Sequence, residues 1–354
     1  MAIDATQFRE SFLRGDVPLV QMVEKKMGEK KMVEKKMCGK MIVAVVVVLC
    51  AVSAQAWAQA YPSKPVRILV PAPAGGPTDV PGRIIAEGLS RLTNVRFVVE
   101  NRVGAGGILA AEAVARAAPD GYTLFYANTS VLAVVPAIQV KVPYDPATFV
   151  PIGFVSNTPQ VLVVNPKLPY KTLKELLAYA KANPGKINWA SGGPGTLPQL
   201  TYELFKLETG FDATLIHYSG GDPALTAVMT GQADAMFTAA STRLRSSEVR
   251  GLALTGTERD PDFADIPTTA ELGFPNVISM SGTGLVGPAG MPKDVAAFLN
   301  AKLNDLLKEP AIQSKMKALG LLPVGGSPEA FGAWANEQRR KWNRVVKESG
   351  AKIQ

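Results

Sequence analysis

The chain has 354 residues, 47% of them hydrophobic and 19% charged, which is enough apolar material for a buried core and, on length, for two domains. Lys and Arg outnumber Asp and Glu by 38 to 30, but nine of the basic and six of the acidic residues fall in the first 60 positions, so the rest carries only +5. With no long basic run or basic–aromatic interleaving after residue 60, that charge argues against a nucleic-acid partner, and one histidine with two cysteines leaves little for metal or thiol chemistry.

Residues 1–60 read as a leader. Met22–Lys40 is a lysine-dense near-repeat, Met41–Val52 is an unbroken apolar run, and "SAQAWAQA" follows with small-x-small sites at Ala54-Gln55-Ala56 and Ala58-Gln59-Ala60. Basic, apolar and small-residue segments in that order predict a secretory signal peptide cut after Ala60. Its apolar run is too short for a mature membrane span. The basic part is long for a leader, so Met32, Met37 and Met41 are candidate true starts. Both cysteines, Cys38 and Cys50, leave with the leader, and Leu49 before Cys50 does not suit lipoprotein processing. An exported mature protein without disulfides is expected in the periplasm.

From Tyr61 onward strand and helix patterns alternate. Val66–Val70 predicts a strand, Val80–Leu92 a helix, Arg96–Val99 a strand, "GGILAAEAVARAA" a helix and "GYTLFYA" a strand. Val161–Val164 reads as a strand, and Thr172–Ala182 as a helix opened by a capping box of Thr172 and Glu175. Strands at Ile187–Ala190, Ala213–His217, Ala235–Phe237 and Gly251–Leu254 enclose helices at Leu197–Thr209 and Pro223–Thr230. The tail is helical over Lys293–Leu307, Ala311–Leu319 and Pro328–Ser349. Such alternation predicts an α/β fold of parallel sheets covered on both faces. The helical tail is expected to pack back on the first sheet, with two crossings between lobes, near Gln160–Asn165 and Gly284–Pro288. That makes 61–160 with 285–354 one lobe and 161–284 the other.

Four predicted strand ends carry small or hydroxyl residues: "PAPAGGPTD" (71–79), "ANTS" (127–130), "SGGPGT" (191–196) and "YSGGD" (218–222). In open α/β sheets ligands bind beyond the carboxyl ends of strands. The first and third of these run directly into helices, whose free N–H groups and positive dipole ends hold an anion without a cationic side chain. Amides of Gly75, Gly76 and Thr78 are thus candidates to grip a carboxylate or phosphate from one lobe, and Ser191 to Thr196 from the other. Asp79 is a poor direct ligand for an anion. Its simpler role is first-turn capping or an i,i+4 pair with Arg83. With Thr78 as N-cap, Pro81 sits at N3, where its missing N–H costs nothing.

Two glycine runs imitate a dinucleotide fingerprint. Gly282-Thr283-Gly284-Leu285-Val286-Gly287 is followed by "PAGMP" rather than a helix, and Gly104-Ala105-Gly106-Gly107 has no acidic residue closing a second strand downstream. His217 is the only histidine and no G-x-S-x-G elbow exists, so a serine hydrolase is poorly supported. Met229 and Met236 read as core.

Taken in order, "YPSKPVRILVPAPAGGPTDVPGR", "VVENRVGAGGILAAEAVARAAPDGYTL", "VPYDPATFVPIG", "VLVVNP", "ANPGKINWASGGPGT" and "GGDPALTAVMTGQADAMF" with the "GPAGMP" tail make residues 61–354 similar to the Bug family. These are the solute-binding proteins of tripartite tricarboxylate transporters. The resemblance implies a type II periplasmic binding protein of two doubly wound lobes joined by a hinge. It also implies a small carboxylate ligand held largely by backbone, no cofactor or catalysis, and a membrane permease as partner. Site residues implied by matching position are Ala74, Gly75, Gly76, Thr78 and Asp79 in the first loop, and Ser191, Gly192, Gly193, Gly195 and Thr196 in the second. Asn128, Thr129 and Ser130 follow at a strand end, Tyr218, Gly220 and Gly221 in the aromatic-x-Gly-Gly turn, and Phe237 and Thr238 on the hinge side. The chain departs from the family where it has Ala72 in place of an aromatic residue, Ser219 in place of lysine and His217 in place of proline. "TAAS" (238–241) lacks the polar residues often found there. A smaller, more apolar wall implies a bulkier acid than citrate, aromatic or a longer diacid. The alternatives are an extracytoplasmic sensor serving a receptor kinase and a hydrolase using His217.

Overall fold

The computed structural model describes residues 61–139, 141–240, 244 and 248–351. The expected signal peptide, both cysteines and the cleavage sites lie outside the described residues. The first half of the fold runs β1 (Val66–Val70), α1 (Asp79–Thr93), β2 (Phe97–Asn101), α2 (Ile108–Ala115), β3 (Thr123–Asn128), a π turn (Ser130–Val134), α3 (Val135–Ile138), β4 (Val150–Val164), α4 (Leu173–Ala182) and β5 (Asn188–Ser191). The second half runs α5 (Leu197–Thr209), β6 (Thr214–His217), α6 (Gly221–Thr230), β7 (Ala235–Ala239), β8 (Arg250–Leu254), β9 (Met280–Gly287), α7 (Lys293–Leu307), α8 (Pro310–Ala318) and α9 (Pro328–Ser349).

Strand order is β2-β1-β3-β9-β4-β7-β5-β6, with β8 also on β4. The two lobes meet in β4, a strand of 15 residues. Its first part pairs antiparallel with β9 from Val150 to Pro159, and its last part pairs with β7 and β8 from Gln160 to Val164. The chain returns at Ser279, directly before β9. The residues expected at the two crossings lie on strands: Gln160–Asn165 covers the last part of β4, and Gly284–Pro288 falls inside or just after β9, which pairs with both β3 and β4. Three of its eight residues, in "MSGTGLVG", are glycines of low strand propensity, so periodicity could not find this strand. The amino-terminal part of β4 is equally hidden, because Pro151 and Pro159 interrupt it and its register shifts twice.

A buried hydroxyl knot fixes both crossings. The Gln160 N–H donates to Ser279 O (3.1 Å) and the Thr255 N–H to Gln160 O (2.9 Å). The Thr255 hydroxyl donates to Ser279 O (2.5 Å), and Ser279 and Thr201 share a hydroxyl bond of 2.6 Å. All four residues are buried.

Both sheets are covered on two faces, as alternation predicts. On one face of the second sheet, Trp189 packs against Tyr202, Phe205, Phe211 and Phe237 at centroid distances of 5.0 to 6.0 Å. Ala224, Val228 and Met236 fill the other face. The Thr172 cap forms, with the Glu175 N–H donating to Thr172 Oγ1 (3.2 Å), but the Glu175 carboxylate accepts the Lys171 N–H (2.6 Å) rather than the Thr172 amide that a full capping box would use. Helix α9 joins the lobes: its Trp342 and Val345 share a cluster with Leu197, Leu200 and Leu204 of α5 and with Ala133 and Val134 of the π turn.

That tail explains the first fingerprint look-alike. A Cβ built on Gly282 would lie 2.2 Å from the Trp334 ring, and one on Gly284 2.3 Å from Phe331 and 2.7 Å from Gly153 O. These glycines let α9 lie against a strand, which is a packing reason for the spacing. Gly284→Ala should therefore destabilise the fold by about 1–3 kcal/mol, the usual cost of overpacking, measured as a lowered urea midpoint with an unchanged m-value.

Candidate ligand-binding site

Strand register alone brings the candidate loops together. In the first sheet β1, β2 and β3 run parallel to one another and to β4, and β3 ends at Asn128, level through Thr283 with Ser156 of β4. In the second sheet β5, β6 and β7 run opposite to β4, and β7 ends at Ala239, level with Gln160. The carboxyl ends of both sets therefore point at the same stretch of β4. Ser156 and Gln160 are four residues apart, about 13 Å of extended strand, a gap suited to a small molecule.

The first loop is built around Asp79. Its side chain is 1% exposed and receives the Gly75 N–H (2.8 Å), Arg83 Nε (2.8 Å) and Asn101 Nδ2 (2.7 Å). Burial opposes ionisation, but the hydrogen bonds from Arg83, Asn101 and Gly75 outweigh it and hold the carboxyl below its ordinary value. Asp79 is thus the organiser of the loop and is not placed to meet an anion. Two further expectations are corrected here. The Gly75 amide is committed to Asp79 and the Gly76 amide to Pro73 O (3.2 Å), so neither is open to a ligand in this conformation. Thr78 sits at the N-cap position without a side-chain cap bond, Asp79 N and Val80 N both donate to Gly76 O, and Pro81 has no N–H. Within the first loop, the amides of Ala72, Ala74 and Thr78 have no hydrogen-bond partner among the described residues.

The second loop has the same construction with a neutral partner. The Gly195 N–H donates to Gln199 Oε1 (2.7 Å), four residues ahead as Asp79 is from Gly75. Ser191 Oγ accepts the Gly193 N–H (3.2 Å) and Thr196 Oγ1 donates to Gly193 O (2.8 Å). Thr196 is the N-cap of α5 without a side-chain cap bond, so the Leu197 and Gln199 N–H groups have no intrahelical acceptor. This helix end is open where that of α1 is closed. The turn after β6 lies against it: the Tyr218 N–H donates to Ser191 O (2.9 Å), and a Cβ on Gly192 would sit 3.1 Å from Gly221 N. Gly220 caps α6.

The remaining candidates divide. Asn128 Oδ1 accepts the Val131 N–H (3.1 Å), opening the π turn, and Ser130 is half-buried beside it. Thr129 is corrected: it is 1% exposed, and its hydroxyl accepts the Gly282 N–H (2.8 Å), tying β3 to β9. Phe237 is corrected likewise, since its ring is fully buried among Trp189 and Phe205, while Thr238 is half-buried on the β7 edge with Val161. Ala72 contributes its carbonyl, which accepts Asn101 Nδ2 (2.8 Å). His217 Nδ1 lies 3.4 Å from the buried Ser191 Oγ, and burial lowers its pKa, favouring the neutral ring. No acidic side chain bonds to it among the described residues. Sequence reasoning missed Asn101 and Gln199, the partners that shape the loops. Asn101 ends β2, and only the sheet order places it beside the loop after β1.

Because the folded pKa of Asp79 is depressed, its contribution to stability is full above about pH 4, the unfolded value, and is lost as pH falls through the lower folded value. Asp79→Asn should cost about 1–3 kcal/mol at pH 7, and the gap to wild type should close as pH is lowered below about 4, read from urea denaturation across pH. Loosening the first loop by Asn101→Ala should leave the far-ultraviolet circular dichroism unchanged and speed hydrogen exchange at Gly75.

Comparison with known proteins finds relatives of this fold. The profile of the tripartite tricarboxylate transporter family receptor (TctC) matches residues 82–351. The chain is similar to protein BugT of Bordetella pertussis, 33% identical over 88% of this chain and 97% of the relative. Among solved structures it is similar to Rpa4515 of R. palustris with adipate, 31% identical over 82% of this chain and 99% of that one, with a TM-score of 0.75. It is also similar to MatC of Rhodopseudomonas palustris with bound malate, 31% identical over 81% and 100%, with a TM-score of 0.72. The two-lobed fold, the shared strand and the extent of these matches place the chain in the TctC family of solute-binding receptors, the Bug proteins among them.

Proposed function

We propose that this protein captures a small dicarboxylate in the periplasm and hands it to the permease of a tripartite tricarboxylate-type transporter, without chemical change. The observation that carries the reading is the open amino terminus of α5 opposite the free Ala74 and Thr78 amides, across the middle of β4. One carboxylate would sit at the Leu197 and Gln199 N–H groups, where the helix dipole adds to the hydrogen bonds. The other would meet the first loop. Each charge-assisted bond contributes about 1.5–3 kcal/mol before the cost of binding. Adipate and malate, held by two relatives, have this form. The small side chain of Ala72 leaves room for a longer or aromatic acid. The His217 ring meets the buried Ser191 hydroxyl at 3.4 Å, and no acidic side chain bonds to it among the described residues, which favours binding over the hydrolase alternative.

Native mass spectrometry of freshly purified protein, followed by thermal shift with adipate, malate, citrate and aromatic acids, tests this. At a hundred times Kd a true ligand adds about 2.7 kcal/mol, which should raise Tm by about 5 °C. Failure of every carboxylate to raise Tm sinks the reading, and stabilisation by citrate alone sinks the preference for bulkier acids. Ala72→Tyr should lower affinity for the longest acid bound by about tenfold and spare the shortest. Loss of uptake of the same acid on deleting the gene tests delivery.

A further inference from the structure

Gln160 is the residue of β4 level with the end of β7, at the edge of the stretch on which both sets of strand ends converge. It is 2% exposed, yet its side-chain Oε1 has no hydrogen-bond partner among the described residues. A buried amide oxygen without a donor is destabilising relative to a satisfied one, and a hydrophobic residue would avoid that cost. The backbone around it leaves no slack to relieve the problem, since its N–H and C=O are held by Ser279 and Thr255.

The direction of the side chain follows from the strand period. Gln160 shares its face with Leu162 and Val164, which pack with Tyr202 and Phe205 of α5. Ser279, bonded to the Gln160 N–H, turns its hydroxyl to Thr201, one turn into the same helix. Gln160 therefore rises on the face that carries the first turns of α5, the helix whose open amino terminus is the proposed carboxylate site. An acceptor beside a set of donors is of no use to a carboxylate, which brings no proton. It suits a second polar group on the same ligand, one that can donate.

We propose that Gln160 contacts the bound acid, its side-chain oxygen accepting a hydrogen bond from a hydroxyl or ammonium group that the acid carries next to a carboxylate. This rests on the carboxylate-binding reading and narrows it to hydroxy or amino acids over plain diacids. Isothermal titration with matched pairs, succinate against malate and glutarate against glutamate, on wild type and on Gln160→Leu and Gln160→Met, provides the test. Wild type should bind the donor-bearing member of at least one pair about tenfold more tightly, and both variants should bind the two members alike. Both variants should melt no lower than wild type, because an unpartnered buried oxygen has been removed. Equal binding of both members by wild type overturns the inference while leaving carboxylate binding intact. A preference that survives in both variants also overturns it, showing that the oxygen serves the fold or a buried water. If wild type binds none of the four acids but binds a longer plain diacid such as adipate, this inference is overturned and carboxylate binding stands; if it binds no carboxylate at all, the underlying reading falls and this inference with it.

Discussion

A strand that serves two sheets constrains everything else in this molecule. Because β4 continues from one lobe into the other, the strands parallel to it and those opposed to it end facing each other across its middle. No loop has to travel to form the cleft. It exists because two parallel α/β units of opposite direction share one backbone, and loops at the carboxyl ends of strands are the places such sheets offer to ligands. The hydroxyl knot of Thr201, Thr255 and Ser279 then anchors the two backbone crossings in a low-dielectric interior, where satisfied hydrogen bonds are strong and broken ones are costly. Helix α9 adds an apolar clasp across both lobes.

Most of the regular structure was legible in the amino acids because its physical signals are local. Helix periodicity, the Thr172 cap and β-branched runs such as "VRILV" located their elements to within a few residues. Strand β9 was not legible. Its glycines answer to the aromatic face of α9, some fifty residues later, and such contacts leave no periodic trace nearby. The same holds at the site. Glycine, proline and threonine marked the two loops, and the Thr78 N-cap position and the Asp79–Arg83 pair follow from spacing alone. Which amides stay open does not. That depends on Asn101 across the sheet and on Gln199 folded back from the helix, so the two loops that look equivalent as text differ as anion sites.

The difference has an electrostatic side. Both loops are closed by a side chain four residues after a glycine, but one closing group is a carboxylate and the other a neutral amide. The carboxylate of Asp79 is balanced by Arg83, and what remains at that end of the cleft is close to neutral. At the other end the helix dipole of α5 is uncompensated. Under the proposed function the second lobe supplies the greater part of the attraction for an anion and the first supplies shape.

The carbonyl of Ala72 is its whole contribution to the first loop's hydrogen bonding, and every amino acid has one. Its side chain is therefore uncoupled from the scaffold that Asp79 and Asn101 maintain. Under the proposed function, a mutation there would change the wall that meets the ligand without loosening the loop that carries it. In such an arrangement the specificity of a receptor can drift among paralogues one side chain at a time, with folding stability untouched and no intermediate that fails to fold. Families that multiply into many copies, each for a different nutrient, are what that separation of duties permits.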